Sequence, residues 1–196
     1  MAQRVVVAIT GLPGAGKSLA ADFFVSKGFQ FIRFGQVTLD EIKRRKLELN
    51  EKNERIIREG LRKKHGMGAF AKLILPKVEK MLKKGNVIAD GLYSFEEYEL
   101  FKKAFNDRFM LLAIYASPQT RYRRLSNRKL KKTDKALRNR PFTIQEARSR
   151  DLAELKNLNK GPAIALADYT IVNEGTIALF KKDLDKIYWT IRRSNA

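Results

Sequence analysis

Val5-Val6-Val7-Ala8-Ile9-Thr10 runs straight into Gly11-Leu12-Pro13-Gly14-Ala15-Gly16-Lys17-Ser18, and the following Leu19-Ala20-Ala21-Asp22-Phe23-Phe24-Val25 has helical periodicity. A short apolar run, a glycine-rich loop and a helix, in that order, form the Walker A pattern G-x-x-x-x-G-K-S in the strand, loop and helix setting that its mechanism requires. Glycines let such a loop wrap a phosphate chain with its amides pointing inward, and the helix begun at Lys17 adds the positive end of its dipole. Lys17 is then expected to reach the β and γ phosphates, and the Ser18 hydroxyl to bind Mg²⁺. The loop from Gly11 through Leu12, Pro13, Gly14, Ala15 and Gly16 to Lys17 and Ser18 is thus a predicted ATP site.

Four more apolar runs follow, at residues 29–34, 86–89, 109–116 and 169–172, separated by longer stretches of helical spacing. Five short apolar strands with long crossovers predict an α/β fold, with a parallel sheet covered by helices on both faces. Between the second and third strands, residues 37–84 read as mostly helical with a break at His65-Gly66-Met67-Gly68. After the break, Phe70, Ile74, Leu75, Val78 and Met81 recur at helical spacing. The final stretch places Ile177, Phe180, Leu184, Ile187, Tyr188 and Ile191 on one stripe, which predicts a C-terminal helix docked on the sheet. Phe23, Phe24, Phe180, Tyr188 and Trp189 are expected in the core.

The length of 196 residues fits one domain over residues 1–196. With no Cys and a single His65, disulfides, thiolate zinc sites, cysteine nucleophiles and histidine-rich metal centres are excluded. No apolar run is long enough to cross a bilayer, and no export signal precedes the first strand, so a cytoplasmic protein is expected. The 41 Lys+Arg against 21 Asp+Glu give a formal charge of +20. Self-repulsion of that size destabilises a compact state unless anions screen it, which makes nucleotides, phosphorylated metabolites and RNA the expected partner classes. Residues 121–140 hold ten basic groups and one acid, Asp134, and are expected to project as a basic arm or lid rather than pack in the core.

Two further groups of residues point to phosphate chemistry. The third run ends in Val87-Ile88-Ala89-Asp90-Gly91, and a carboxylate at the C-terminal edge of a strand beside the loop can hold Mg²⁺ opposite Ser18, directly or through water; an Asp-Gly turn is the plainer alternative. Arg124 and Arg128 are four apart, which predicts both guanidinium groups on one face of a helix leaving the fourth strand, with Arg121 facing the same way. Such groups can stack on a base or bridge phosphate oxygens.

The blocks GLPGAGKS, HGMGAFAKLILPKV, ADGLYSFEE, ASPQTRYRRLSNR and ALADYTIVNEGT, in this order, extend over nearly the whole chain. It resembles the P-loop kinases of the nucleoside monophosphate kinase and dephospho-CoA kinase type, and is most similar to an adenylate-kinase-related branch. The resemblance implies a three-layer sandwich with strand order 2-3-1-4-5, an acceptor-binding insertion at residues 37–84 and a basic lid region at residues 121–150. It also implies that Arg124 covers the adenine, that Arg128 and Arg150 reach the phosphates, and that Asn173-Glu174-Gly175-Thr176 forms the loop beside the base. His65 matches a position that could touch a phosphate; capping of the helix break is the plainer role.

The departures fall on the acceptor side. Monophosphate kinases of this type hold the acceptor phosphate with an Arg soon after the second strand and another after the Asp-Gly, and here Leu39 and Tyr93 occupy the matching positions. Kinases that phosphorylate a hydroxyl use an Asp just after the second strand as base, and Gln36 stands there, an amide that takes no proton at neutral pH. Lys43, Arg44, Arg45 or a lid residue are candidate replacements. The expected activity is ATP- and Mg²⁺-dependent transfer of the γ-phosphoryl group to a nucleotide-like acceptor. The alternative is a nucleotide-gated RNA- or ribosome-associated ATPase, motivated by the charge and the missing acceptor arginines.

Overall fold

The computed structural model describes residues 3–129 and 141–194. Five strands, β1 (Val6–Thr10), β2 (Gln30–Arg33), β3 (Val87–Asp90), β4 (Phe109–Tyr115) and β5 (Tyr169–Val172), form one sheet in the order β2-β3-β1-β4-β5. Every pairing is parallel, and the register sets Ile9 beside Asp90 and Asp90 beside Arg33. The expected strand set and order are therefore present.

β1 is buried along its whole length, because it is central and covered on both faces. Side-chain alternation divides the interior in two. Val6, Ala8, Val87, Ala89, Phe109 and Leu111 pack with Phe70, Ile74, Phe101 and Ala163, whereas Val5, Val7, Ile9, Ile88, Leu112 and Ile171 pack with Phe24, Phe180 and Leu184. Helices α1 (Lys17–Ser26) and α9 (Ile177–Ser194) thus cover one face, and α4 (Ala69–Leu82), α5 (Phe95–Phe105) and α8 (Lys160–Ala165) the other. Burying a side chain the size of Phe24 stabilises by about 3 kcal/mol.

Local signals explain the helix starts. Ser94 and Glu97 form a reciprocal capping box on α5, and Thr143 and Glu146 form one on α7 (Ile144–Asn157). In α6 (Pro118–Ser126), Ser117 caps and Pro118 takes the first position, where its missing N–H costs nothing.

Four expectations need correction. Residues 37–84 hold α2 (Gln36–Arg44) and α3 (Glu51–His65) before α4, so a second break interrupts the helical stretch. There Lys46 turns left-handed at φ 56°, and the Asn50 side chain accepts from Asn53 N–H to start α3. The helix carrying Arg124 ends at Ser126, so Arg128 lies beyond it and the two do not share a helical face. Ile177, in the first turn of α9, is 64% exposed. Trp189 is 50% exposed and edges onto Tyr188 rather than filling the core; Phe24 and Phe180 are buried as expected. Residues 130–140 of the expected lid lie outside the described residues.

Candidate nucleotide site

The Gly11–Ser18 loop joins β1 to α1 at the C-terminal edge of the sheet, and its shape demands glycine. Gly11 has φ 135°, and a Cβ there would meet the Ile114 carbonyl oxygen at 2.3 Å. Gly16 has φ 114°, and its Cβ would meet Asn173 Nδ2 at 2.5 Å. No other residue fits either position without displacing backbone or the neighbouring strand's loop.

Side chains from distant segments hold the loop's carbonyls. Asn173, just after β5, donates from Nδ2 to Ala15 O at 2.7 Å, while its own N–H donates to Tyr115 O. Arg121 donates from Nη1 to Pro13 O at 3.1 Å. Lys17 Nζ donates to Gly11 O at 2.8 Å and Leu12 O at 3.1 Å. Burial, helped by the nearby Lys160 and Arg150, brings the Lys17 ammonium down to a pKa of about 7, against the opposing pull of Glu154 and Asp90. A polyanion beside it would restore the charge.

Asp90 closes the other side. It is 5% exposed, stands in register with Ile9, and its Oδ1 is buried with no hydrogen-bond partner among the described residues. The turn after it is pinned to β1, with Gly91 N–H and Leu92 N–H both donating to Ile9 O at 3.1 Å, and Thr10 Oγ1 donating to Leu92 O. Ser18, at the start of α1, is exposed. A hydroxyl and a carboxylate are hard oxygen donors suited to Mg²⁺, which takes few protein ligands and completes its shell with phosphates and water. Asp90, with a buried carboxylate oxygen that has no hydrogen-bond partner among the described residues, and the exposed Ser18 hydroxyl fit that ion.

Arg124 reaches the same neighbourhood. Its Nη2 lies 3.5 Å from Asn173 Oδ1, and its Nη1 is buried without a partner among the described residues. The loop at residues 173–176 is fixed by Glu174, whose carboxylate accepts from Ser117 N–H and from Thr120 Oγ1 at 2.6 Å. Thr176 Oγ1 accepts from Leu179 N–H at the start of α9.

Arg121 does not face with Arg124. It is 2% exposed and forms two parallel bonds to Asp151, Nη1 to Oδ1 at 2.8 Å and Nη2 to Oδ2 at 2.6 Å, with Nε donating to Ala116 O. Its position is structural, coupling α6, α7 and the loop. Arg150 lies one turn from Glu154, with Nε to Oε1 at 3.3 Å, its guanidinium over Phe142. Arg128 stands past the end of α6, its N–H donating to Leu125 O.

The sequence alone did not single out a buried charge cluster next to this loop. Lys160 is wholly buried, donates to Glu154 Oε2 at 2.6 Å and lies 5.0 Å from the centre of the Tyr93 ring. Burial would raise the Glu154 carboxyl, but Lys160, Arg150 and Lys17 outweigh it and hold its pKa at about 2. Glu97 is also fully buried; its Oε2 accepts from Tyr93 N–H and Ser94 N–H, while Oε1 has no partner among the described residues. Burial pushes that carboxyl up to about 7 despite those bonds and the nearby Arg62 and Lys160. The available signal was Asp151 and Glu154 set three apart in α7, acids on the inward side of a helix that follows a strongly basic run.

On the acceptor side, Gln36 is exposed and its Nε2 donates to Asp40 Oδ1 at 2.8 Å. Arg44 and Arg45 both pair with Glu41 on the solvent side of α2, each at 2.6 Å. Tyr93 stands over the strand edge, its hydroxyl 3.6 and 3.4 Å from where a Cβ on Gly35 or Gly91 would lie. His65 ends α3, where its carbonyl accepts from Lys72 Nζ and Gly66 follows at φ 81°.

The model of a family described as "AAA domain" matches residues 7–153. The UPF0200 protein of Pyrococcus abyssi is 35% identical over 185 residues, covering 93% of this chain and 95% of that one. The chain belongs to the UPF0200 family. A UPF0200/UPF0201 protein of Archaeoglobus fulgidus is 36% identical over 183 residues, and the chain spans about half of that relative, 54% of its length. Among solved structures, shikimate kinase from Bacteroides thetaiotaomicron overlays with a TM-score of 0.59 at 16% identity, covering 95% of this chain and 98% of that one. TT1252 from Thermus thermophilus overlays with a TM-score of 0.55, also at 16% identity, covering 96% of this chain and 98% of that one. At that identity the likeness is one of fold. This UPF0200 chain therefore has a P-loop kinase-like fold, and among the described residues no helix is long and apolar enough to cross a membrane.

Proposed function

We propose that the protein is an ATP-binding, Mg²⁺-dependent phosphotransferase that moves the γ-phosphoryl group to a nucleotide-like small molecule. The observation that carries this reading is the loop itself, with its left-handed glycines, the helix that starts at Lys17, and Asp90 on the strand paired beside β1. Bound Mg²⁺ supplies charge neutralisation at the phosphates, with Ser18 and Asp90 holding it. Lys17 releases the Gly11 and Leu12 carbonyls to bind the β and γ oxygens, and the loop amides orient the chain. Arg124 covers the adenine beside Asn173, and Arg128 and Arg150 approach the phosphates from the lid side. Transfer forms a bond from the acceptor oxygen to the γ phosphorus and breaks that phosphorus's bond to the β–γ bridging oxygen, releasing ADP. Catalysis on this reading is positioning and electrostatic stabilisation. Incubation with labelled ATP and a panel of monophosphates and dephospho-CoA tests it: label on an acceptor supports it, and no MgATP binding by calorimetry overturns it.

A second reading, an RNA-associated ATPase, draws on a groove lined by Arg4, Lys80, Lys83, Lys84 and Arg108 at the sheet edge opposite the loop. Filter binding at two salt concentrations decides it, because phosphate contacts by Lys and Arg weaken steeply with salt. No RNA retention at low salt removes this reading.

A further inference from the structure

The inward side of α7 carries Ala147, Asp151 and Glu154, while Ile144, Leu152 and Leu155 of the same helix are exposed. A helix that buries its acids and leaves its large apolar groups in solvent is not arranged for stability, because apolar groups of similar size usually hold a buried position at least as well as an ion pair. Both acids instead serve the surroundings of the glycine loop. Asp151 holds Arg121, which reaches Pro13 O, and Glu154 lies within electrostatic reach of Lys17.

The two oxygens of Glu154 are used unequally. Oε2 accepts from Lys160 Nζ at 2.6 Å, and the Lys160 side chain is 0% exposed, its ammonium fixed over the Tyr93 ring. Oε1 accepts from Arg150 Nε at 3.3 Å, longer than an ordinary charge-assisted bond, and the Arg150 side chain is 35% exposed. One contact is short and dry, and the other is long and open to solvent on its cationic side. Burial alone would raise the Glu154 carboxyl, yet Lys160, Arg150 and Lys17 together keep it ionised. It is therefore a permanent anion and not a proton acceptor.

A carboxylate and a phosphate present a guanidinium with the same kind of paired oxygens. We infer that Glu154 competes with the γ phosphate for Arg150, as a positioning residue that lowers the affinity for ATP relative to ADP. This rests on the phosphotransferase reading, in which Arg150 approaches the phosphates, and adds the group that restrains it. Binding of ATP moves Arg150 from the carboxylate to the γ phosphate and leaves Lys160 to neutralise Glu154. ADP has no phosphate at that place, so the Arg150 contact stays closed in its complex. The exchange costs the ATP complex alone, and a ligand shifts an equilibrium only by such a difference.

Calorimetry in Mg²⁺ with ADP and the β,γ-imido analogue of ATP tests this. Glu154→Gln with Lys160→Met removes the carboxylate without leaving a buried ammonium alone, and should raise the ratio of analogue affinity to ADP affinity about fivefold or more. Glu154→Gln by itself, whose amide oxygen can still accept from Lys160, should move the ratio the same way. Lys160→Met by itself leaves the carboxylate to Arg150 and Lys17 and should lower the ratio. In an Arg150→Gln background the double change should no longer alter it, since the two positions act through one contact. A purely structural pair would weaken both nucleotides together and give no gain. The inference is overturned if removing the carboxylate leaves the ratio unchanged or lowers it, if Lys160→Met raises it, or if the gain survives Arg150→Gln. Absence of analogue binding by the wild-type protein would instead overturn the phosphotransferase reading.

Discussion

Asp151 and Arg121 meet inside the molecule in two parallel hydrogen bonds, and the same guanidinium reaches on to Pro13 of the glycine loop. Tyr122 adds a third bond to Asp151 Oδ2 at 2.9 Å. A helix that follows the basic run thereby sets the position of a loop more than 130 residues earlier.

Removing one partner leaves the other charge buried and alone. Asp151→Ala should destabilise the fold by about 3 kcal/mol or more, read as a lower urea midpoint at unchanged slope. The double variant Asp151→Leu with Arg121→Met should recover much of the loss, since two apolar groups leave no orphan charge. Equal stability of Asp151→Ala and wild type would show that the pair carries no such weight.

Lys17 predicts a proton linkage. Its pKa falls from 10.5 to about 7 on folding, so the folded chain binds fewer protons than the unfolded chain between those values. This group's contribution to stability therefore rises with pH across that window. Phosphates beside the ammonium reverse the shift, so ATP binding near pH 8 should take up close to about one proton, fading below pH 6 where Lys17 is already charged. Calorimetry in buffers of different ionisation heat measures the uptake, and Lys17→Met should abolish it. Buffer-independent heats at pH 8 would contradict the assignment.

Glycine 16 admits no side chain. Gly16→Ala combines an unfavourable backbone angle with a contact on Asn173 Nδ2, so the bond from Asn173 to Ala15 O must break. Nucleotide affinity should fall at least about tenfold, with a stability loss of about 1–3 kcal/mol. Asn173→Ala should reproduce part of the affinity loss, and the two changes together should cost less than their sum because they break the same contact. Full additivity would separate the two residues.

Asp90→Asn should leave the fold intact, because the atom it alters bonds to nothing among the described residues. It should raise the Mg²⁺ concentration needed for half-maximal ATP turnover by about tenfold, since an amide is a poorer ligand for a hard dication than a carboxylate. An unchanged Mg²⁺ requirement would take Asp90 out of the metal's surroundings.

The parts legible in the sequence are those written in local signals. β1, the glycine loop and α1 follow from one continuous stretch, and the strands follow from apolar runs bounded by helices. Asn173 and Arg124 were marked by resemblance, and they do meet. What escaped the sequence was encoded in contacts between distant segments. The Arg121–Asp151 pair joins helices separated by residues that carry no pattern linking them, and Lys160 reads as an ordinary surface lysine until Glu154 and Tyr93 surround it. The exposure of Trp189 and Ile177 has the same origin, because helical spacing gives a stripe but not how much of it the sheet covers. Arg128 departs from its expected place for a local reason: α6 stops at Ser126, so the four-residue spacing from Arg124 no longer follows a helix.

The pairing of Asp90 with Ile9 has an evolutionary corollary. Asp90 falls on the same side of β3 as Ile88, which packs with α1. A single inserted or deleted residue in the stretch leading into β3 would rotate the carboxylate to the opposite side and carry it away from the glycine loop, even if the strand still formed. Indels should therefore accumulate in the loop before Asn50 and be purged from the few residues upstream of Asp90.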